Sequence, residues 1–279
     1  MGDTTPTSTT DSAELVAQAE RCLEAQDYAG AEQLCDSVLS ADPTYNRAHV
    51  IKARAMMPGM RYDQILNHVH WKLTPETYVE IGVATGASLA RAQADTRAVG
   101  IDPAPRISRP IKARARLYPI ESDTFFERYD LFEELGADRV AVAFIDGLHL
   151  FEQALRDFIN IEKYAQADTL TLIHDCYPPT ELSAQRESAT DYWCGDVWRL
   201  IPLLLKYRPD LNVTIAPAFP SGLGIVTGMD ANSTVLSDNY DQIVAEGMAM
   251  EYPQSDALRS QLLPTISSDW DAIQQFIQR

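Results

Sequence analysis

The sequence lacks the segments that carry a chain into or across a membrane. Its 279 residues include no apolar run of about 18, the length that a membrane span requires. Residues 2–12 are polar and acidic and lack the apolar centre of a signal peptide. The 4 cysteines are scattered and form no Cys-x-x-Cys pair, which favours free thiols in a reducing compartment. We therefore expect a soluble, cytoplasmic protein with no membrane partner.

Basic residues are scarce relative to acidic ones. The chain has 23 Lys and Arg residues against 40 Asp and Glu, a formal net charge of −17. A chain of this charge repels the phosphates of nucleic acids at long range. We therefore expect no nucleic-acid partner.

The composition divides the chain into three parts. Residues 1–11 are polar and predicted to be disordered, residues 12–59 are predicted to form a small helical unit, and residues 60–279 form the main domain. The helical unit resembles a tetratricopeptide repeat in the order of Ala19, Tyr28, Ala31, Cys35, Val38 and Pro43. One repeat cannot form a free-standing solenoid, so we expect a cap that packs on the main domain or across a homodimer. A peptide-binding groove is the alternative.

The dinucleotide signature Gly-x-Gly-x-x-Gly is also missing. In its place, an apolar run at residues 78–81 predicts a buried strand, and the residues from Leu89 onward predict a helix. Gly82 and Gly86 allow a sharp turn between them, of the kind that brings backbone N–H groups close to a nucleotide. A second strand ends at Asp102, where a carboxylate is suited to hold the hydroxyls of a ribose.

Later segments alternate between strand and helix. Apolar runs at residues 139–145 and 169–173 predict central strands, and residues 151–164 predict the helix between them. This alternation is typical of a parallel, doubly wound α/β sheet. The third strand is expected at residues 117–120. Residues 103–116 carry five basic side chains, which indicate either a solvated helix face or a basic rim for a phosphorylated or carboxylated substrate.

Both central strands end in polar clusters. Asp146 and His149 follow the first strand, and His174 and Asp175 end the second. Because ligands bind at the carboxyl ends of such strands, we expect the two clusters to face one another. Asp146, His174 and Asp175 can then hold a divalent cation, with Mg²⁺ favoured by the acids and Mn²⁺ or Fe²⁺ by the imidazole. The alternative is that Asp146 caps a helix and the histidines make ordinary hydrogen bonds.

The glycine turn and the acids together resemble a known family. The pattern Glu80-x-Gly82-x-x-x-Gly86-x-Ser88, followed by Asp102, resembles motif I and the second-strand acid of class I S-adenosylmethionine-dependent methyltransferases. The resemblance implies a Rossmann-like, mostly parallel seven-stranded sheet with adenosylmethionine as the cofactor. The implied cofactor-binding residues are Glu80, Gly82, Thr85, Gly86, Ser88, Asp102, Ser122 and Asp123.

The residues of the two polar clusters indicate which branch of this family the chain resembles. The segment from Phe144 to Glu152, together with Leu172 to Asp175, is similar to the macrocin O-methyltransferase and cephalosporin-hydroxylase-like branch. The likeness extends over residues 76–228 and implies a metal-dependent O-methyltransferase for sugar hydroxyls of natural products. It implies Asp146 and Asp175 as metal ligands and His149 as the general base. The chain departs from that branch at His174, where an acid is usual.

Two other functions remain open. A metal-independent methyltransferase would use Asp146 and Asp175 only to orient its substrate. A non-catalytic scaffold would use the helical unit to bind a partner, although the intact Gly82, Gly86 and Asp102 disfavour it.

A substitution at the second-strand acid tests the cofactor prediction. We expect calorimetric titration of the purified protein with S-adenosylhomocysteine to give micromolar binding, and Asp102→Ala to abolish it, because the carboxylate holds the ribose hydroxyls. A protein that binds no nucleoside under any condition would contradict the methyltransferase prediction.

Overall fold

The computed structural model describes residues 9–278. Residues 1–8 of the predicted disordered segment 1–11 lie outside the described residues, whereas residues 9–11 begin a helix, where Asp11 in the first turn suits the helix dipole. The α-helices are α1 Thr9–Glu24, α2 Tyr28–Ala41, α3 Asn46–Met56, α4 Tyr62–His68, α5 Ser122–Arg128, α6 Leu131–Leu135, α7 Phe151–Glu162, α8 Leu200–Tyr207, α9 Val235–Asp238, α10 Tyr240–Ala249, α11 Asp256–Leu262 and α12 Trp270–Ile277.

Seven strands form one sheet, and the predicted doubly wound, mostly parallel α/β fold is confirmed. The strands are β1 Thr77–Ile81, β2 Arg97–Ile101, β3 Arg114–Tyr118, β4 Val142–Ile145, β5 Leu170–His174, β6 Asn212–Ala216 and β7 Leu223–Thr227. Their order across the sheet is β3-β2-β1-β4-β5-β7-β6, and β7 runs antiparallel to both of its neighbours. The chain leaves β1 toward β2 and later returns to its other side at β4. The carboxyl ends of β1 and β4 therefore form the switch point of the sheet.

The sheet separates two hydrophobic cores, because successive side chains of a strand point to opposite faces. Val79 and Ile145 pack on one face with helix α7, which supplies Phe151, Leu155 and Phe158 at helical spacing. Tyr78 and Phe144 pack on the opposite face with α4 and α12. All of these side chains are buried. Covered on both faces, the central strands hold their polar carboxyl ends in fixed positions.

The N-terminal helical unit consists of α1, α2 and α3. Its own small core contains six buried side chains: Val16, Ala19, Cys35, Val38, Ala48 and Ile51. The unit also contacts the main domain through His49, whose ring lies 3.0 Å from the Thr180 hydroxyl oxygen. The unit is thus packed on the main domain, one of the two arrangements that we expected for a cap.

Two predicted helices are not formed. After β1 the chain makes only a 3-10 turn at Leu89–Arg91, and residues 102–113 contain no helix. The second segment contains Pro103, Pro105 and Pro110, which remove backbone donors and disfavour helix. The solvated helix face, one of the two interpretations of residues 103–116, is therefore wrong. Strand β3 begins at Arg114, three residues before the predicted start of the third strand. None of the helices among the described residues is long and apolar enough to cross a membrane.

A glycine in α10 gives a test of the packing around α7. A β carbon at Gly247 would overlap the ring of Phe151. Gly247→Ala should therefore lower the free energy of unfolding by about 1–3 kcal/mol, although Ala favours helix. Urea denaturation measures the effect. Ala245, which is exposed in the same helix, provides the control, since Ala245→Gly should lose only about 1 kcal/mol through helix propensity. Equal stability of Gly247→Ala and the wild type would contradict this packing.

Candidate active site

The glycine turn packs directly on the end of β4. The Gly82 N–H donates to the Ile101 carbonyl oxygen at 2.8 Å, and the Asp146 N–H donates to the Ile81 carbonyl oxygen at 2.8 Å. Gly82 has a φ of +90°, and a β carbon there would overlap the carbonyl oxygen of Asp146. Gly82 is therefore needed for the close approach of two strand ends, independently of any ligand. This contact sets the position of Asp146 relative to the turn.

Asp102 lies beside the turn as predicted. One carboxylate oxygen accepts from the Ala84 N–H at 2.7 Å, and the other accepts from the Ala104 N–H at 2.7 Å. The side chain is only partly buried. Each carboxylate oxygen has a second lone pair, so Asp102 can still accept hydrogen bonds from the hydroxyls of a ligand.

The segment after Asp102 lies against the glycine turn. The Arg106 N–H donates to the Ala84 carbonyl oxygen at 2.8 Å, and the Ser108 N–H donates to the Thr85 carbonyl oxygen at 3.0 Å. A β carbon at Gly86 would meet the Ile107 side chain at 3.0 Å. A nucleotide bound at this turn would therefore contact residues 104–108 as well. No pattern in the sequence indicates this contact.

Glu80 and Ser88 face each other in the core below the turn. The Ser88 hydroxyl donates to one Glu80 carboxyl oxygen at 2.5 Å, and the Tyr78 hydroxyl donates to the other at 2.6 Å. Glu80 is fully buried, and this burial raises its pKa to about 8 despite the two hydrogen bonds. Glu80 and Ser88 are therefore paired with each other in the core, and their contact with a cofactor, which the sequence resemblance implied, stays a prediction.

Ser122 and Asp123 begin α5, just after β3. The Ser122 hydroxyl donates to Asp157 of α7 at 2.6 Å, and Arg156 donates to Asp123 at 3.0 Å. Burial raises the pKa of Asp157 to about 6, above the range of an exposed carboxyl group. Asp123 remains 40% exposed and can contact a ligand, whereas Ser122 is buried and ties α5 to α7. Asp157 was not among the predicted residues.

The two polar clusters meet at the ends of β4 and β5, as predicted. His174 Nδ1 lies 3.1 Å from an Asp146 oxygen and 3.3 Å from an Asp175 oxygen. His149 Nδ1 lies 3.3 Å from the other Asp175 oxygen, and its Nε2 lies 3.7 Å from Asp146. Side-chain exposure is 27% for His149 and 9% for His174. His149 is thus the imidazole closer to solvent and to an arriving substrate.

Neighbouring charges shift the pKa values of His174 and Asp175 in this cluster. Burial lowers the pKa of His174, but Asp146 and Asp175 outweigh burial and raise it well above the usual value. Burial alone would raise the pKa of Asp175, and the two imidazoles instead lower it. Ser221 donates a hydrogen bond to the same Asp175 carboxylate. The cluster therefore places the buried Asp175 and the partly exposed Asp146 around a position where a positive charge is favoured.

The donor set of the cluster suits a divalent cation. Ligand atoms of Asp146, His149 and Asp175 all lie within 4.8 Å of one another. Within the described part of the chain, the buried His174 Nε2 has no hydrogen-bond partner, and His149 Nδ1 and His174 Nδ1, although 3.1–3.3 Å from carboxylate oxygens, are not aligned with them for a hydrogen bond. Unsatisfied nitrogens beside two carboxylates fit a metal ion. The residues whose ligand atoms lie this close together include His149, whereas the ligands predicted from the sequence included His174.

One long loop, residues 180–196, reaches this cluster from a distant part of the sequence. The ring of Trp193 stacks on that of His149, with 5.1 Å between centroids and 24° between planes. Asp196 is fully buried and accepts from the Phe151 N–H, at the start of α7, at 2.8 Å. Arg186 pairs with both Asp196 and Glu152. The loop is thus tied both to His149 and to the start of α7.

The fold and the cluster define an α/β protein with a nucleotide-type turn and an acid–histidine site at its switch point. Residues 79–176, about a third of the chain, match the family model described as a methyltransferase domain. The matched segment runs from β1 through β5 and contains Gly82, Asp102, Asp146, His149 and Asp175. The match confirms the predicted enzyme class, a methyltransferase.

Solved structures with a similar fold include three methyltransferases. An O-methyltransferase from Bacillus cereus is 15% identical, with 64% of this chain and 87% of that one covered and a TM-score of 0.46. The O-methyltransferase TomG from Streptomyces achromogenes is 14% identical, with 60% and 79% covered and a TM-score of 0.47. The Podospora anserina methyltransferase PaMTH1 is 15% identical, with 82% and 100% covered and a TM-score of 0.44. Likenesses this low do not bear on the chemistry of this chain. No curated protein sequence matches it.

The buried carboxyl group of Glu80 gives a prediction about pH. Its pKa is about 8 in the folded chain, against 4.5 for a glutamate fully exposed to water, so the folded chain keeps a proton that the unfolded chain loses. The contribution of Glu80 to stability is complete below pH 4.5 and is lost as the pH rises to about 8. We expect Glu80→Gln to remove this loss, on the order of 1 kcal/mol per pH unit within the window, in urea denaturation at a series of pH values.

Glu127, on the exposed surface of α5, provides the matched control. Glu127→Gln should leave the pH dependence of the wild type unchanged. The same pH profile for Glu80→Gln and wild type would show that Glu80 is ionised in the folded protein.

Proposed function

We propose that the chain is an S-adenosylmethionine-dependent O-methyltransferase that acts on a hydroxyl group of a small molecule. The observation that carries the proposal is the position of the acid–histidine cluster. Asp146 adjoins the glycine turn through its backbone, so a cofactor at the turn and an acceptor at the cluster would be neighbours. The methyltransferase domain match over residues 79–176 supports the same function.

The residues at the turn fit the adenosyl group of the cofactor in part. Asp102, with free lone pairs at the end of β2, would accept from the ribose hydroxyls, and Asp123 would lie at the next strand end. Thr85 and Gly86 would line the turn, where their backbone approaches the ligand. Bound adenosylmethionine supplies a methyl group that is already electrophilic. The chain therefore has to orient the acceptor and remove its proton.

The acid–histidine cluster would perform the second task. His149, the more exposed imidazole, would take the proton from the acceptor hydroxyl as general base. Asp175, 3.3 Å from its Nδ1, would orient the ring. Asp146, Asp175 and the buried His174 would hold a divalent cation, Mg²⁺, Mn²⁺ or Fe²⁺, which lowers the pKa of a neighbouring hydroxyl.

A metal-independent methyltransferase is the second candidate, and one observation favours it. His174 lies between Asp146 and Asp175, and both carboxylates raise its pKa. A protonated His174 would place a positive charge where a cation would otherwise be held. The two acids would then orient the substrate, and His149 would remain the base.

The proposal also includes the chemical class of the acceptor and the location of the protein in the cell. The likeness to the macrocin branch suggests a sugar or glycosylated natural product as the acceptor. The 4 free cysteines, Cys22, Cys35, Cys176 and Cys194, support a cytoplasmic location.

Chelation distinguishes the two candidates. Chelator-treated protein is titrated with S-adenosylhomocysteine and then assayed for methyl transfer to a panel of methyl glycosides, with and without added Mg²⁺ or Mn²⁺. We expect S-adenosylhomocysteine to bind in every condition and methyl transfer to require the cation. Transfer that persists in the chelator at the same rate would favour the metal-independent enzyme.

Two substitutions separate the roles in the cluster. His149→Ala should lower turnover by about 10²–10⁴-fold, as expected for loss of a general base, and leave Mn²⁺ binding intact. Asp146→Asn should weaken Mn²⁺ binding as well, which titration calorimetry measures. Loss of Mn²⁺ binding in His149→Ala would instead make His149 a ligand, in agreement with the set of ligand atoms within 4.8 Å.

A further inference from the structure

The 180–196 loop surrounds His149 on several sides. Trp193 stacks on the imidazole ring at 5.1 Å. A β carbon at Gly195 would overlap the His149 carbonyl oxygen, so the loop backbone packs directly on that residue. The Asp196 N–H also donates to the His149 carbonyl oxygen, at 3.2 Å. The position of the ring therefore depends on a loop that is distant in sequence.

The same loop is held at its other side by the N-terminal helical unit. His49 of α3 is buried, and its Nε2 lies 2.8 Å from the Pro43 carbonyl oxygen. Because a carbonyl oxygen only accepts, Nε2 carries a proton, and Nδ1 lies 3.0 Å from the Thr180 hydroxyl oxygen. The His49 ring also stacks on Tyr192, with 6.4 Å between centroids and 7° between planes. Tyr192 is the chain neighbour of Trp193.

The loop between these two contacts has its own internal structure. The Cys194 N–H donates to the Ser183 carbonyl oxygen at 2.8 Å, and the Trp193 indole N–H donates to the Gln185 carbonyl oxygen at 2.7 Å. Tyr192 donates to the Pro220 carbonyl oxygen. The loop is therefore ordered by its own hydrogen bonds between the His49 contact and Trp193.

We propose that the N-terminal helical unit is a working part of the acceptor site: His49 fixes the 180–196 loop, and Trp193 of that loop fixes the imidazole of His149. The inference rests on the proposed function, since it assigns the unit a role at the proposed base. His49 and Trp193 are positioning residues in this account. A misplacement of reacting groups by about 1 Å can reduce a rate on the order of 10²-fold. Loss of the contacts that position the His149 ring should therefore lower turnover.

The ring signals of His149 provide a readout that needs neither cofactor nor acceptor. The chain has only 5 histidines, so its imidazole resonances can be assigned by single substitutions in NMR spectra. A stacked indole shifts the proton resonances of the ring that it covers. We expect Trp193→Ala to remove that shift from His149, and Trp193→Phe to keep part of it.

The decisive variant is His49→Ala in the full chain. We expect it to move the His149 resonances toward those of Trp193→Ala and to speed hydrogen exchange at the Phe151 and Asp196 amides by at least about tenfold, since both amides bond across the loop contact. Thr180→Val, which removes the hydroxyl that lies beside His49 Nδ1 and also bonds Ser183, should give a smaller shift in the same direction. If His49→Ala fails to fold, Thr180→Val tests the same contact between His49 and the loop.

Arg47 provides the matched control. It lies on α3 and pairs with Glu20 within the helical unit, on the exposed surface. Arg47→Ala should leave the His149 resonances and both amides unchanged. S-adenosylhomocysteine affinity should be the same in all folded variants, because the hydrogen bonds of the glycine turn and Asp102 described above do not involve the loop.

The outcomes separate this inference from the proposed function. His149 resonances that stay at their wild-type positions in folded His49→Ala and Thr180→Val would overturn the inference, even in an active enzyme. Absence of methyl transfer from the wild type would contradict the proposed function and leave the NMR result interpretable. With the methyl glycoside that is turned over best, His49→Ala should lower kcat on the order of tenfold while the KM for adenosylmethionine stays constant.

Discussion

The arrangement of the site depends on the close approach of two backbones at the switch point of the sheet. Gly82 leaves β1 against the carbonyl group of Asp146, at a distance that excludes any side chain. The neighbouring N–H of Asp146 is held by the Ile81 carbonyl oxygen. The glycine turn and the acid that follows β4 are therefore parts of one rigid structure. This backbone contact would therefore fix the distance between a ligand at the turn and a reacting group at the cluster.

A buried hydrogen-bond network around this contact stabilises it. Glu80, Ser88 and Tyr78 form hydrogen bonds beneath the turn, and Ser122 joins α5 to Asp157 of α7. Groups that are buried and paired in this way keep the ends of the strands in register. Asp102 and Asp123, the two acids that we propose to contact the cofactor, remain partly exposed above this layer.

The sequence allowed the sheet and the meeting of the two clusters to be predicted, because strand pattern and strand-end position are local signals. The sequence did not reveal that the side chains of Glu80 and Ser88 form a hydrogen bond in the core. An acid and a hydroxyl near a glycine turn are equally compatible with a cofactor contact and with a buried pair. The helix expected after Asp102 is absent because three prolines dominate that segment. The contact between Phe151 and Asp196 joins residues 45 positions apart, and no periodicity in the sequence marks it.

The edge of the sheet at β3 has a consequence for how copies of the chain behave together. An edge strand offers unpaired backbone groups to which another strand can add. Here the edge carries Arg114 and Arg116, both exposed, and the preceding loop adds further cations. A second copy that approached with the same edge would bring like charges together. Exposed cations along the β3 edge therefore disfavour the pairing of two copies through this edge.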